Sequence, residues 1–248
     1  MLSKIAEAIK LAGSPVAVIL TDTKPEKAAQ FKEHHWGCVG AMLVMASKNR
    51  TAAFDRRTYG CVGGGVALGF GNTYEGFPIE KLLSTGGGVY TDPYRNGQPI
   101  EGELYFKSPE LACKFVDSLP MRDVKAEYVV FKPLELLEPH ETPETVVMFV
   151  NPDQLSALVV LANFGRGHNM NVISPQIAGC QSILYGFAEA DREEPRAVIG
   201  MFDITVRRLV PPDILSFTMP WKLFLTMEAD VTGSFLEHDQ WAKIKERI

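Results

Sequence analysis

The sequence predicts an α/β or α+β fold, in which a mixed sheet is flanked by helices and two related halves form one compact unit. Three observations favour this fold class. Short apolar runs alternate with longer amphipathic segments, the order of these elements recurs along the chain, and apolar residues make up 46% of the 248 residues. This apolar content is enough for a sizeable core, so we expect a single domain over 1–248.

The first half opens with an amphipathic helix that Gly13 ends, followed by a buried strand. Glycine-rich and polar turns then separate the next elements, and the segments 86–88 and 92–97 are predicted loops. Ser108 and Pro109 mark a helix start, because serine caps a helix and proline fits its first position. The predicted helices cover 2–12, 25–31, 38–47, 62–70, 77–84 and 108–119, and the predicted strands cover 16–20, 51–54, 103–106 and 127–131.

The second half shows the same alternation of strands and helices. Asn151 followed by Pro152 caps a helix, and the segment 165–169 is a predicted loop. The predicted strands cover 145–150, 196–200 and 214–218, and the predicted helices cover 151–161 and 180–190, with two more starting near 220 and 234.

One order of elements occurs twice: strand, helix, loop, Gly-Cys pair, helix, charged turn and strand. The two passes cover 16–54 and 146–202. This repetition predicts an internal duplication with halves of about 14–140 and 141–248. Two such halves, packed about a pseudo-twofold axis, would bring Cys38 and Cys180 towards each other.

Composition and charge exclude several classes of protein. The net charge of −5, with no basic run, argues against a nucleic-acid partner. No apolar stretch approaches the roughly 20 residues of a membrane helix, so we expect no membrane partner. Charged residues interrupt the apolar positions of the first helix, which is atypical of a signal peptide and predicts a cytoplasmic protein. Four cysteines are too few for a disulfide scaffold.

Three cysteines share one unusual setting. Cys38, Cys61 and Cys180 each follow a glycine, and each opens a predicted helix. A helix start offers unpaired N–H groups and the positive end of a dipole, and both favour a thiolate over a thiol. Three thiols in matching settings therefore predict one shared site.

The leading hypothesis is that Cys38, Cys61 and Cys180 hold an iron–sulfur cluster or another thiophilic metal centre. Their spacing lacks the CxxC pairs of zinc ribbons and thioredoxins, whereas a four-iron cluster accepts ligands scattered through a chain. Three protein ligands would leave one iron open, which predicts a redox or ligand-binding role with a small molecule or a redox partner. Cys113 lies within a helix with no glycine before it, and we expect it to serve packing.

Glycines flank these cysteines at Gly60, Gly63, Gly64 and Gly179. Each glycine within a helix lowers its stability by about 1 kcal/mol relative to alanine. The high density of glycine around Cys61 therefore indicates a specific structural need. We expect these glycines to let the backbone approach a cofactor closely. The run lacks both the ending of a phosphate-binding loop and the spacing of a dinucleotide-binding turn.

Two alternatives remain open from the residues alone. In a thiol enzyme, Cys38 or Cys180 would be the nucleophile and His35 or His168 its base. His34 and His35 also precede Cys38 closely enough to be considered as metal ligands. In a non-enzymatic small-molecule binding protein, the cysteines would be buried structural residues.

The order of the cysteine motifs resembles a known family. Gly-Cys at Cys38, Gly-Cys-x-Gly-Gly at Cys61, Ala-Gly-Cys at Cys180 and the closing helix around 235–241 together resemble the prokaryotic family called domain of unknown function 169. The resemblance spans nearly the whole chain and implies no particular activity, because the family is uncharacterised. Its members share these cysteines and are often found in anaerobic bacteria and archaea, which agrees with an oxygen-sensitive cluster.

Overall fold

The computed structural model describes residues 2–71, 74–91, 97 and 99–248. Within these residues the chain forms nine helices and nine strands, and it confirms the α+β class with a mixed sheet. The helices are α1 (Lys4–Ala8), α2 (Val39–Ala46), α3 (Val62–Ala67), α4 (Ile79–Ser84), α5 (Pro109–Asp117), α6 (Pro152–Asn163), α7 (Gln181–Ala190), α8 (Trp221–Asp230) and α9 (Asp239–Lys245). The strands are β1 (Val16–Thr21), β2 (Ala52–Phe54), β3 (Gly88–Thr91), β4 (Pro99–Glu101), β5 (Tyr128–Pro133), β6 (Thr145–Val150), β7 (Val172–Ile173), β8 (Ala197–Gly200) and β9 (Leu215–Pro220).

Seven strands form the main sheet in the order β2-β5-β1-β6-β9-β8-β7. Every neighbouring pair is antiparallel except β7 with β8 at one edge. The central pair joins β1 to β6, with Val16 opposite Val147 and Val18 opposite Thr145. The first half thus contributes β1 to this pair and places β5 and β2 beyond it. The second half contributes β6 and places β9 and β8 beyond it on the other side.

Side chains alternate between the two faces of the sheet, as a pleated strand requires. On β1, Ala17 and Ile19 pack with α1, α6, α8 and α9, which we call the closed face. Val16 and Val18 pack on the opposite side with α2, α3 and α7, which we call the cysteine face. Helices α4 and α5 pack against each other, and their apolar residues join the cluster around Tyr74 beside α3 and α7.

Two elements differ from the sequence-based expectation. The predicted helix over 25–31 is absent; this segment turns and then bridges to β2, with Ala29 paired to Ala52, because the backbone groups of Ala29 bond to Thr51 and Ala53. The predicted strand over 103–106 is also wrong. The strand lies earlier, at β4, where it pairs with β3, and Leu104 has a positive φ of 53°, which ends the extended conformation.

Smaller differences concern the ends of the chain and one loop. Helix α1 is shorter than predicted, since Lys10 takes a positive φ of 49°. The tail predicted as a helix from 234 is a 3₁₀ turn followed by α9. Of the predicted loop over 92–97, only Gly97 belongs to the described residues. No helix in the described ranges has the length and apolar character needed to cross a bilayer.

Candidate functional site

The three glycine-preceded cysteines stand at the starts of three helices on the same face. Cys38 is the N-cap of α2, Cys61 of α3 and Cys180 of α7, as the sequence predicts. We call these three residues the cysteine site. Cys38 and Cys61 are half-buried, and Cys180 is buried.

Short contacts connect these helix starts. The Cys61 sulfur accepts a hydrogen bond from the Gly64 N–H at 3.3 Å, as an N-cap side chain does. The Cys180 thiol points to the carbonyl oxygen of Gly63, with 3.8 Å between sulfur and oxygen. The start of α7 therefore touches the first turn of α3, and two of the three cysteines belong to one packed unit.

The charges of the three thiols are coupled at Cys180. Burial raises the pKa of the Cys180 thiol well above its usual range, and Cys61, Cys38 and Asp203 raise it further. The expectation that a helix start makes Cys180 a ready thiolate is therefore wrong, because the loss of water outweighs the helix dipole there. Cys38 and Cys61 therefore each lie within electrostatic reach of Cys180.

The cysteine site does not by itself form the compact ligand set of a single metal ion. Among the residues that the structure describes, no three His, Cys, Asp or Glu side chains are grouped so as to hold a metal ion. Cys113 lies exposed on α5, so the packing role expected for it is wrong.

Close packing explains why three of the four flanking positions are glycine. A Cβ at Gly64 would lie 2.7 Å from Val39 Cγ2, and one at Gly179 would lie 2.6 Å from Val206 Cγ2. Gly60 has a φ of +80°, and a Cβ there would lie 2.5 Å from the Gly37 carbonyl oxygen. These three positions therefore admit only glycine without a shift of their neighbours.

Gly63 is the exception. A Cβ there would meet only the Tyr74 hydroxyl within 4 Å, at 3.8 Å. The open side of this helical glycine therefore faces the same space as Tyr74, next to the carbonyl oxygen that the Cys180 thiol contacts. Of the flanking glycines, Gly63 best fits the expectation of room for a bound group.

The candidate histidine bases lie on exposed loops. His35 Nδ1 contacts the backbone oxygen of Glu33 at 3.0 Å. His168 Nε2 lies 3.3 Å from the Glu194 carboxylate and lines a cavity of about 220 Å³ together with Lys222. The ionisable groups that raise the pKa of Cys180 are the other two thiols and Asp203, rather than a histidine.

Sequence reasoning missed a group of polar residues beside the cysteines. The buried Tyr74 hydroxyl accepts a hydrogen bond from Gln181 Nε2 at 2.7 Å, and Gln181 directly follows Cys180. Burial raises the pKa of Tyr74, and the thiols of Cys180 and Cys61 raise it further. Tyr105, in turn, donates to Asp203 at 2.9 Å. None of these residues belongs to a recognisable motif, so the sequence offered no signal for them.

Three of the six described non-glycine residues with a positive φ lie in the same segments. Tyr74, Leu104 and Met201 have positive φ values of 61°, 53° and 66° although none is glycine. Leu104 precedes Tyr105, and Met201 lies two residues before Asp203. Such conformations cost on the order of 1–3 kcal/mol each and tend to cluster at functional sites, which adds a second reason to place the site here.

Comparison with known proteins identifies a family, but no individual protein or structure that is similar. No curated protein and no solved structure is significantly similar to the chain. The model of the family DUF169, described as "Uncharacterised ArCR", matches residues 4–230, which include the whole cysteine site and its polar neighbours. The chain therefore belongs to the DUF169 family.

Proposed function

We propose that the chain holds an iron–sulfur cluster, or another thiophilic metal centre, through Cys38, Cys61 and Cys180, with a redox or ligand-binding role. One observation carries the proposal. Three cysteines stand at the starts of three helices on one face of the sheet, and Cys38 and Cys61 are each coupled to Cys180.

The donor set fits a soft metal centre. Sulfur ligands select iron–sulfur clusters, zinc and copper(I) over hard cations. A buried thiol with a raised pKa such as Cys180 stays protonated when unligated, and coordination by a metal would displace its proton and neutralise the thiolate. The helix starts also supply N–H groups that can reach the sulfides of a cluster.

Within the proposal, a cluster is preferred to a single ion. A single tetrahedral zinc ion, with bonds of about 2.3 Å to sulfur, draws its ligands into a compact group. No such group exists among the described residues. A four-iron cluster distributes its cysteine ligands over separate irons and therefore accepts more widely spaced sulfurs.

The protein residues would have distinct tasks around such a centre. A cluster with three cysteine ligands would supply electron transfer and one iron open to a ligand. The buried side chains of Cys180 and Tyr74 would exclude water from one side of the site. Gly63 would leave room on the side of the Tyr74 hydroxyl.

The decisive experiment is an iron and sulfide assay, with a visible spectrum, on protein purified without oxygen. Cys61→Ser is the informative variant, because serine is a good N-cap and its hydroxyl can still accept from Gly64, so α3 is retained. Cys113→Ser is the matched control, since Cys113 is exposed on α5.

We expect brown wild-type protein with iron and sulfide in near-equal amounts, loss of both in Cys61→Ser, and no change in Cys113→Ser. Colourless wild-type protein that stays iron-free after reconstitution contradicts the proposal, as does unchanged iron content in Cys61→Ser. No disulfide bond joins any of the four cysteines in the described structure, which suits a reducing compartment such as the cytoplasm.

We also infer that the two halves arose by duplication. The strand order is β2-β5-β1 in the first half and β8-β9-β6 in the second, so it mirrors about the central pair. In chain order, the helix that Cys38 opens comes between β1 and β2, and the helix that Cys180 opens comes between β6 and β8. Superposing β1, α2, β2 and β5 on β6, α7, β8 and β9 should bring Cys38 onto Cys180, and a best fit with any other pairing contradicts the inference.

A further inference from the structure

A cavity of about 980 Å³ lies at one end of the main sheet, and we call it the end cavity. At this end β1 and β9 begin and β5 and β6 finish, and the cavity is lined by α1, the end of α2 and the segment 209–214. Sites for small molecules have volumes of about 300–1,000 Å³. The end cavity is therefore large enough for such a ligand.

The register of the central strands explains why the cavity is there. Val16 of β1 lies opposite Val147, and β6 continues past that pair. Pro15 has no N–H with which to extend the ladder, and its carbonyl oxygen accepts from the Leu134 N–H at 2.8 Å. The chain before β1 therefore leaves the sheet, and the cavity lies between it and Phe149.

The inner wall of the end cavity is apolar. Val44 and Val210 belong to one buried cluster, and Phe149, Leu209 and Ile214 pack against it. The last three are only half-buried, so part of their apolar surface stays accessible. An apolar ligand chain would remove that surface from water, which favours binding.

Several polar side chains of the lining are already bonded within the protein. The Ser47 hydroxyl donates to the Val44 carbonyl oxygen at 2.8 Å. The Lys10 ammonium donates to the backbone oxygens of Lys245 and Ile248 at 2.7 and 3.1 Å. These groups do not need a ligand to complete their hydrogen bonds.

Two neighbouring donors at the rim do have free capacity. The Lys48 ammonium has no partner among the residues that the structure describes. The Ser14 hydroxyl lies 2.7 Å from the Asn49 amide and 2.5 Å from Glu135 Oε1. An asparagine amide carries two N–H groups, and this contact occupies at most one of them.

The free groups favour a negatively charged ligand. A carboxylate has two oxygens and matches the two adjacent donors of Lys48 and Asn49, whereas an ammonium group would find only the exposed carboxylate of Glu7. The negative end of α2 is also largely neutralised, because backbone N–H groups occupy its last carbonyl oxygens. The acceptors are Leu43, Met45, Ala46 and Ser47, and the donors are Ser47, Lys48, Asn49 and Ser14.

We propose that the end cavity binds a small amphipathic carboxylate. Its apolar chain lies against Val44, Phe149 and Ile214, and its carboxylate accepts from Lys48 and Asn49. The site is separate from the cysteine site: Cys38 opens α2 and Lys48 follows its other end, and the eight residues of this helix span about 12 Å. The inference therefore does not depend on a metal centre.

The test is titration calorimetry of the full-length, metal-free protein with decanoate. Decylammonium has the same chain length and the opposite charge, so it is the matched ligand control. We expect saturable binding of one decanoate per chain and weaker binding of decylammonium. No saturable binding of decanoate overturns the inference, and equal or tighter binding of decylammonium overturns the choice of a carboxylate.

A charge variant locates the carboxylate. Lys48→Gln should weaken decanoate binding by about fivefold, as the loss of one partly exposed ion pair predicts. Lys114→Gln is the matched control, because Lys114 is exposed on α5, away from the cavity. Wild-type affinity in Lys48→Gln overturns the proposed contact. Lys48 is exposed, so this variant should fold even if a variant of the inner wall does not.

A second variant fills the cavity. Ile214→Trp should abolish decanoate binding with an unchanged circular dichroism spectrum, whereas Leu225→Trp, at a position 44% exposed on α8, should bind like the wild type. Wild-type binding by folded Ile214→Trp overturns the location.

Cys61→Ser separates the inference from the proposed function. It should bind decanoate like the wild type whatever its iron content, and loss of decanoate binding in this variant would overturn the independence of the two sites.

Discussion

The two faces of the main sheet are built differently. On the closed face, the buried polar side chains bond to backbone: Gln154 Nε2 donates to the carbonyl oxygens of Ile9 and Lys10, and Glu228 accepts from the N–H groups at the start of α1. On the cysteine face, the buried hydroxyls of Thr145, Ser216 and Thr218 have no partner among the described residues. The closed face is thus a satisfied core, and the cysteine face carries unsatisfied polar groups.

The cysteine face also has close packing and several raised pKa values. A Cβ at Gly186 of α7 would lie 2.8 Å from Thr218 and 2.9 Å from Thr145. Cys180, Tyr74 and Glu103, whose pKa values are raised, all belong to this side of the molecule. One face therefore stabilises the sheet, whereas the other carries buried polar groups and close contacts that cost stability. Such local losses of stability are typical of a functional surface.

The largest expected effect tests the closed face. Phe217 is fully buried there, and Phe217→Ala should lower the free energy of unfolding by about 3–5 kcal/mol, because it removes a packed ring and leaves a cavity. Denaturant unfolding measures the loss, and iron per folded molecule should stay at the wild-type value.

Phe131 provides the matched test on the cysteine face. Its ring lies 4.8 Å from that of Phe54, and Phe54 lies 5.8 Å from Phe31, whose ring packs on Gly37 and Gly60. Phe131→Ala should lower the free energy of unfolding by a similar amount, and it should also lower the iron content. Equal iron content in the alanine variants of Phe131 and Phe217 would remove the distinction between the faces.

A smaller effect compares two adjacent glycines of α3. Gly64→Ala should lower the free energy of unfolding by about 2 kcal/mol, because the new Cβ would collide with Val39 and with the Tyr59 carbonyl oxygen. Gly63→Ala should instead raise it by up to about 1 kcal/mol, since alanine favours the helix and has space there. If the open side of Gly63 faces the bound group, this more stable variant should nevertheless bind less iron.

The pH dependence of stability sharpens the comparison further. The folded-state pKa of Glu103 is raised from 4.5 to about 7, so its contribution to stability is fully present below 4.5 and is lost as the pH rises through 7. From acid to mildly alkaline pH, the free energy of unfolding of Glu103→Gln should therefore rise by about 1–2 kcal/mol relative to that of the wild type. This value is discounted for the partial exposure of Glu103. Urea unfolding at several pH values measures this gain, and a constant difference between the two proteins would contradict it.

The smallest effect concerns the unsatisfied hydroxyls. Thr218→Val replaces a buried hydroxyl that has no partner among the described residues with a methyl group of similar shape. It should raise the free energy of unfolding by about 1 kcal/mol, measured by thermal or denaturant unfolding. A destabilised valine variant would mean that the hydroxyl has a function in the folded protein.

Much of the fold could be predicted from the sequence because its signals are local. Short continuous apolar runs predicted β1 and β6, and Asn151 followed by Pro152 predicted the start of α6. One error has a long-range cause. The segment 25–31 begins with a proline and contains helix-forming residues, yet its backbone forms a bridge to β2. The hairpin of β3 and β4 was missed because turn residues dominate its sequence.

The candidate site was only partly predictable. Matching Gly-Cys pairs identified Cys38, Cys61 and Cys180, because a helix start depends on neighbouring residues. Tyr74 gave no signal, since its hydrogen bond with Gln181 joins residues far apart in the chain.

The sequence by itself determined which residues start helices, which strands have buried faces and which glycines precede a cysteine, because these properties depend on neighbours within a few positions. The tertiary structure alone decided that α2, α3 and α7 share one face, and that burial keeps Cys180 a thiol despite its helix start. It also decided that Asp203 lies near Glu103. Desolvation and charge coupling are sums over everything that surrounds a group, and only the folded chain sets those surroundings.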